Sequence, residues 1–585
     1  MFGRLSEAGL RCDAEAPTAA APAEATPAIK ASRGLRSELG IRDTYAWLQR
    51  LLFIALLAIC AGMGGCTENL SASRDGGGQS SLFQSAADSE SSDLRGIEEE
   101  WVDCDPAFAL ASDSARIFSR PLLRARAVFS LGEADEIQAA LAVAGASAKA
   151  GNDPLRLAQA LLLKTEFELG RGETARARRS LSEATAARAD ARASDPIESE
   201  VFDWWVLVRL GDIAFQEGSF AMAQARYESA RANIPPTPFY ASMPRERLAN
   251  VIANKIGSTA FMDGRQVEAL TSFREGLAVI RKLRVADPAR VRWRRDENVT
   301  LTRLGDVLLA MDDREGAHDA FSQASRIAED VAAACPSSKV IARERRITWE
   351  KLGDLDWNMG AFDASLEHYK AIRLDLEQSA RAYPAPPSDI VSLARARRLE
   401  SEALAALQRA DDALSALREA RDGLERSALS SRDATIELLV ILDTTGRILI
   451  DVDRASAAIA PCEASLAHAR AFLLKSPEDD AAQSATIVAL GRLGDALFDT
   501  GAHGRAVPLY LEAEKLARKR VARVPGDIDM LRDLAVALFN VATVQDDRRQ
   551  TAARESLVLF RRVQAEGALS KEDQGFVAQM EAWLK

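Results

Sequence analysis

The sequence predicts an all-α protein, a solenoid in which pairs of helices stack in a row, and three observations predict it. The chain has 585 residues, more than a single hydrophobic core usually supports. Aromatic residues make up only 6% of it, whereas the strong helix formers alanine, leucine, glutamate and arginine are abundant. A short motif also returns about every 48 residues, and a fixed period of this size is typical of stacked repeats.

The N-terminal part precedes the repeats and differs from them. Residues 1–43 are rich in alanine, proline, glutamate and arginine without apolar periodicity, which predicts disorder. Residues 44–66 contain an apolar run from Leu51 to Gly65. This run is shorter than the roughly 20 residues of a membrane-spanning helix and fits the apolar region of an export signal. Residues 67–119 begin with a serine- and glycine-rich stretch and are predicted to form a flexible tether and lead-in.

The end of the apolar run carries a candidate lipid-attachment site. The stretch Met63-Gly64-Gly65-Cys66 resembles the lipobox of bacterial lipoproteins, in which a small residue precedes the cysteine that receives lipid. The resemblance implies lipid on Cys66, and an uncleaved single-pass anchor is the alternative. Both interpretations place the rest of the chain outside the cytoplasm, facing the cell envelope, because Arg42 and Arg50 lie on the N-terminal side of the run.

Residues 120–585 carry the repeat and are predicted to form about nine helix pairs. The clearest copies of the motif are Leu210-Gly211-Asp212, Leu304-Gly305-Asp306, Leu352-Gly353-Asp354 and Leu493-Gly494-Asp495. Ile256-Gly257-Ser258 is a variant, and weaker copies centre on Thr165, Ser401, Gly446 and Ala542. In the copy around Gly305, apolar residues at helical spacing predict one helix that ends near Asp312 and a second that ends at Pro336.

Two further columns of residues follow the central residue of each copy at fixed distances. Twelve residues after it the side chains are small, as in Ala177, Ala223, Ala269, Ala317, Ser365, Ala413, Ala458 and Ala506. Sixteen residues after it they are mostly large, as in Leu181, Tyr227, Phe273, Phe321, Tyr369, Leu417 and Tyr510. This pattern resembles the tetratricopeptide repeat, although that family repeats every 34 residues. The resemblance implies a right-handed superhelix whose first helices line a concave groove.

The resemblance also points to a candidate binding groove. The position directly after the central residue is mostly acidic and includes Asp212, Asp306, Asp354 and Asp495. Four residues after the central residue the side chains are mostly apolar and include Phe215, Trp357 and Phe498. These columns predict an acidic groove with apolar rungs, which suits a protein or peptide partner with basic and apolar residues. The alternative is that the carboxylates bond neighbouring backbone or repeats and that the rings are buried.

Several function classes are disfavoured by the sequence. The net charge of −11 would repel phosphate backbones, so no nucleic-acid partner is predicted. No phosphate-cradling glycine loop, HExxH or CxxC motif occurs, so we predict no enzyme activity, cofactor, metal site or small-molecule substrate. The expected function is a non-catalytic scaffold or adaptor tethered to a bacterial membrane. Two alternatives are a regulatory module working with a separate kinase or protease, and a self-associating structural lipoprotein.

Overall fold

The structure is a computed structural model that describes residues 134–190, 196–235, 244–336, 338–382, 385–427, 431–566, 569 and 571–585. The predictions for residues 1–43, 44–66 and 67–119, including Cys66, fall outside these residues. The described part of the chain contains twenty helices and no strand. The helices are α1 Ala134–Ala150, α2 Pro154–Gly170, α3 Thr174–Asp190, α4 Pro196–Gln216, α5 Phe220–Ala232, α6 Arg245–Met262, α7 Gln266–Ala286, α8 Val291–Ala310, α9 Arg314–Ala334, α10 Lys339–Asn358, α11 Phe362–Ala382, α12 Pro387–Ala406, α13 Ala410–Ser427, α14 Arg432–Asp451, α15 Ala455–Lys475, α16 Asp480–Asp499, α17 His503–Arg523, α18 Ile528–Val544, α19 Arg549–Ala565 and α20 Lys571–Trp583.

The helices from α2 to α19 are arranged as consecutive pairs. In each pair the even-numbered first helix packs against the odd-numbered second helix, and the second helix packs against the first helix of the next pair. Each element therefore contacts mainly its neighbours along the chain, which is the organisation of a solenoid. The predicted all-α solenoid is confirmed. Among the described helices, none combines the length and apolar character needed to cross a membrane.

The turn inside each pair is fixed by one residue in the left-handed region. That residue lies seven positions after the central residue of the motif, and its φ is between 59° and 79° in the seven pairs from α4 to α17. It is Gly218, Gly264, Asp312, Gly360, Gln408, Asp453 or Gly501. Helices commonly end on such a residue because its N–H can bond a carbonyl of the last turn. The break predicted near Asp312 therefore coincides with the observed turn.

The central glycine of the motif is needed because a ring packs directly on its backbone. A Cβ atom added to Gly305 would lie 2.5 Å from Cε1 of Phe321, and one added to Gly494 would lie 2.5 Å from Cε1 of Tyr510. Both rings are buried, so each ring is held between the two helices of its pair. In the pair of α14 and α15 the sulfur of Cys462 takes the place of the ring, against Gly446.

Candidate binding surface on the first helices

The first helices lie closer to one another than the second helices do. Direct packing joins α2 to α4, α6 to α8, α12 to α14, α14 to α16 and α16 to α18. Among the described helices, no two consecutive second helices pack to a comparable extent. Open grooves of about 610 Å³ between α5 and α7 and of about 430 Å³ between α7 and α9 separate second helices instead. The stack therefore curves with the first helices on its inner side, and we call this side the first-helix face.

Asp212, predicted to face the groove, is buried in an ionic cluster. Its carboxylate accepts hydrogen bonds from Nζ of Lys255, Nη1 of Arg209 and Oη of Tyr227, each at 2.6 Å. Burial alone would raise the pKa of the Asp212 carboxyl, but Lys255 and Arg209 more than offset burial and hold that pKa below its usual range. The charged carboxylate thus ties α4 to α5 through the tyrosine and to α6 through the lysine.

The other predicted groove carboxylates also have partners inside the protein. Asp306 accepts a hydrogen bond from Nζ of Lys351 on the next first helix at 2.7 Å. Asp354 and Asp495 accept from the tyrosine hydroxyls of their own pairs, at 2.7 Å from Tyr369 and at 2.8 Å from Tyr510. Burial raises the pKa of Asp306, because Lys351 and the more distant Arg303 do not fully offset it.

These contacts correct the prediction of an open acidic surface. The four aspartates lie on the first helices as expected, but their oxygens are engaged by tyrosine, lysine and arginine side chains. The geometry matches the alternative stated above, in which the carboxylates join neighbouring elements. A partner therefore does not meet a row of unpaired negative charges at these positions.

The predicted apolar rungs are packed within their own helix pairs. Trp357 is only 6% exposed and packs edge-to-face on Phe362, with ring centroids 5.0 Å apart. The ring of Phe215 packs on Phe220 in the same manner at 5.7 Å. Phe498 lies 4.5 Å from the ring of His503. In each case the partner is the first residue of the second helix, so the rings close the turn of the pair. This placement corrects the prediction that Phe215, Trp357 and Phe498 form the apolar rungs of an open groove.

A ladder of ion pairs runs along the first-helix face. Nε of Arg247 on α6 lies 2.7 Å from Asp296 on α8. Arg295 on α8 in turn donates to both carboxylate oxygens of Glu344 on α10, at 2.6 and 2.9 Å. Further rungs join Arg395 to Glu350 at 2.5 Å and Arg492 to Asp443 at 2.9 Å. Each rung pairs opposite charges on consecutive first helices, so most charge on this face is neutralised internally.

Between these rungs runs a strip of half-buried apolar side chains that the sequence reasoning missed. On α8 the half-buried residues include Arg295, Val299, Asp306 and Leu309, a helical stripe that contains the rung residue Arg295. Val299 stands six residues before the central glycine, and the equivalent positions are also half-buried. We call this set the apolar strip, and it consists of Trp205, Val251, Val299, Ile347, Val440 and Val488, with Arg395 between Ile347 and Val440. The repeat register alone would have revealed this column.

The described residues contain one row that superficially resembles a catalytic set. Oγ of Ser322 lies 3.5 Å from Nδ1 of His318, whose Nε2 lies 3.6 Å from Asp356. These distances exceed those of good hydrogen bonds, and Asp356 is shared with His368 at 3.4 Å. The contact between Ser322 and His318 is thus longer than the distance of about 2.6–3.2 Å that is typical of a nucleophile and its base. Within the described ranges no group of three or more metal-ligating side chains is brought together.

Comparisons with known proteins return solved structures only. No protein-family model and no curated protein matches the chain. The apo form of RapI is similar at 11% identity over 73% of this chain and 98% of that chain, with a TM-score of 0.46. The apo form of the quorum sensor NprR from B. thuringiensis gives 11% identity, 72% and 98% coverage and a TM-score of 0.41. A tetratricopeptide repeat protein from Parabacteroides merdae gives 12% identity, 57% and 98% coverage and a TM-score of 0.30. Likeness at this level does not identify a function.

Proposed function

We propose that this protein is a non-catalytic scaffold that binds a segment of a partner protein along its first-helix face. The observation that carries the proposal is the apolar strip, which crosses consecutive first helices and keeps part of its surface in contact with solvent. The ion pairs beside it are made within the protein, so a ligand that covers the strip does not need to supply counter-charges for them. A few buried anchor residues usually contribute most of the affinity of a protein interface.

The spacing of the strip suggests the form of the partner. Neighbouring helix axes lie about 8–10 Å apart in packed helices. An extended chain advances about 3.3 Å per residue, so every third residue of an extended partner would meet the next rung. A helical partner advances about 1.5 Å per residue and would present an apolar residue every six or seven positions. Since the groove carboxylates are paired internally, apolar rather than basic residues are proposed to dominate recognition.

The proposal includes attachment to a bacterial membrane with the array facing the cell envelope. It is supported by the apolar run that ends at Gly65 and by the lipobox-like stretch that ends at Cys66. The length of chain between Cys66 and α1 would hold the array away from the membrane surface. A membrane-held scaffold of this kind would concentrate its partner at the envelope.

The test is a retention experiment, a pull-down in which the full chain is the bait and the proteins that it retains are identified. Val299 and Ile347 are both replaced by glutamate, which places charge in the middle of the apolar strip. Leu374→Glu on the second helix α11 is the matched control, because Leu374 is 55% exposed and lies away from the first-helix face. We expect proteins retained by the wild-type chain and by the control to be lost from the double variant, whose helicity is verified by circular dichroism. Equal retention by all three chains would contradict the proposal.

A further inference from the structure

Cations two residues before the central position form a row down the first helices. On α4, α6 and α10 this cation reaches back to the acid that follows the central position on the preceding first helix. The pairs are Arg209 with Glu166, Lys255 with Asp212 at 2.6 Å, and Lys351 with Asp306 at 2.7 Å. The repeat therefore builds the same rung several times, a cation of one pair against a carboxylate of the previous pair.

Arg303 occupies the same position on α8 but has no such partner. The interval from Ser258 to Arg303 equals the interval from Asp306 to Lys351, so Ser258 stands where the carboxylate would be. Arg303 is only 9% exposed, and its Nε is enclosed without a hydrogen-bond partner. Among the described residues, no carboxylate lies within ion-pair distance of Arg303. Oγ of Ser258, which is 6% exposed, is likewise enclosed without a partner.

The surroundings of Arg303 show which way its charge faces. Arg303 is one of two cations that act to lower the pKa of Tyr227, a pKa that burial and Asp212 raise well above its usual range. Tyr227 also lies under Nζ of Lys255, 5.7 Å from the ring centroid. Lys255 and Lys351, at the equivalent positions, reach back to Asp212 and Asp306 on the preceding first helices, so the same register sets Arg303 against Ser258 on α6. Asp306, the nearest acid on its own helix, is engaged by Lys351.

Asp306 is close enough to Arg303 to interact with it, but its carboxylate is hydrogen-bonded to Lys351. The nearly buried guanidinium thus loses hydration without a hydrogen-bonded counter-charge of its own, which is unfavourable. We infer that Arg303 and Ser258 form a binding site for a carboxylate, in which the guanidinium and the serine hydroxyl donate to the ligand's oxygens. A carboxylate is the ligand because the neighbouring rungs all hold one, and because guanidinium matches its two oxygens in a fork. An acidic side chain or a C-terminal carboxylate of the partner segment would supply it, a point that rests on the proposed function.

Val299 of the apolar strip lies four residues, about one helical turn, before Arg303 on α8, so the two lie on the same side of the helix. A ligand seated on the strip would therefore bring an acid to Arg303 from a residue close to its apolar anchor. A polar contact at a fixed place beside the strip determines which residue of the bound segment meets each apolar side chain. Apolar contacts alone do not fix this register.

The site is tested without the partner, on the full chain, by thermal unfolding in sodium acetate and in sodium chloride at equal ionic strength. We expect acetate to raise the Tm of the wild type, and we expect this rise to be absent in Arg303→Met. Ser258→Asp supplies the missing carboxylate from the protein, so it should raise the Tm in chloride and abolish the response to acetate. Ser182→Asp, on an exposed position of α3, controls for the added charge and should keep the wild-type response.

Any of the following outcomes would contradict the proposed carboxylate site. An equal acetate response in all four chains would make the effect general, and a response of the wild type to phosphate but not to acetate would exclude a carboxylate ligand. A lower Tm for Ser258→Asp would show that the two side chains do not face each other. Hexa-aspartate compared with acetate then distinguishes a peptide source from a small acid, since a peptide site should respond at a lower carboxylate concentration. The acetate experiment needs no partner protein, so a negative result in it would not contradict the retention experiment. A negative retention experiment would likewise not contradict the acetate experiment.

Discussion

Replacing the central glycine of one repeat with alanine tests the packing that defines the pairs. In Gly305→Ala the new Cβ would lie 2.5, 2.7 and 2.8 Å from three ring carbons of Phe321. Such distances force the ring or the helix to move, and Phe321 is completely buried. Overpacking of this type costs about 1–3 kcal/mol. Alanine also gains about 1 kcal/mol of helix propensity over glycine, so the expected net loss of stability is up to about 2 kcal/mol.

Gly423→Ala provides a matched control for the gain in helix propensity when glycine is replaced by alanine. Gly423 lies inside α13, and a Cβ added there would meet nothing within 4 Å. This variant should therefore be more stable than the wild type by about 0.5–1 kcal/mol. Because both substitutions gain the same helix propensity, the difference between the two variants measures the clash with Phe321.

The measurement is urea-induced unfolding followed by circular dichroism, combined with amide hydrogen exchange. Exchange is needed because arrays that contact only their neighbours often unfold in parts, and a single free energy then describes no particular repeat. Protection should fall in α8 and α9 for Gly305→Ala and rise around α13 for Gly423→Ala. If Gly305→Ala were stabilised as much as Gly423→Ala, the ring would not pack on the glycine as described.

Further predictions concern the core, the ionic cluster and the N-terminal segment. Phe321→Ala should cost about 3–5 kcal/mol and unfold first around α8 and α9, which exchange would locate. Asp212→Asn should cost about 3–5 kcal/mol because it leaves the buried Lys255 without its carboxylate and Arg209 with Glu166 alone. Asp306→Asn should cost less because the Lys351 side chain is 24% exposed and can reach water. Since the folded pKa of Asp212 is depressed, its contribution should be complete at neutral pH, begin to decline near the unfolded pKa of about 3.9 and be lost as the pH falls through the lower folded pKa. Cys66→Ser should abolish labelling by a fatty-acid analogue, and persistent labelling would favour the uncleaved anchor.

The fold was predictable because the residues that determine it recur at fixed distances. The central glycine, the small residue twelve positions later and the ring sixteen positions later are all selected by contact between helices of one pair. Contacts within a pair involve nearby parts of the chain, so the spacing in sequence translates directly into spacing along two short helices. The turn near Asp312 was predictable for the same reason, since it depends on local backbone conformation alone.

The binding surface was less predictable because it depends on contacts between pairs. Whether Asp212 faces solvent is decided by Lys255, which lies on the next first helix, and by the hydroxyl of Tyr227. A family pattern marks the position after the glycine as exposed to the groove, but it does not state which cation stands beside it. The column of cations two residues before the glycine was visible in the sequence. Reading it together with the column of acids would have predicted that most of these acids are paired.

The pair of α6 and α7 lacks both the ring hydroxyl and the acid, whereas the pair of α8 and α9 keeps Asp306 although its ring is Phe321. Where the ring carries a hydroxyl, as in Tyr227 and Tyr369, the residue after the glycine is an aspartate that accepts from it. The pair of α6 and α7 has Phe273 instead, so an acid at Ser258 would find no hydroxyl in its own pair. Its link to α8 is made by other groups, among them the Asn254 amide, which donates to Thr300 at 3.0 Å. The repeat thus holds together without the acid, and the cation that the acid would have neutralised remains for a ligand.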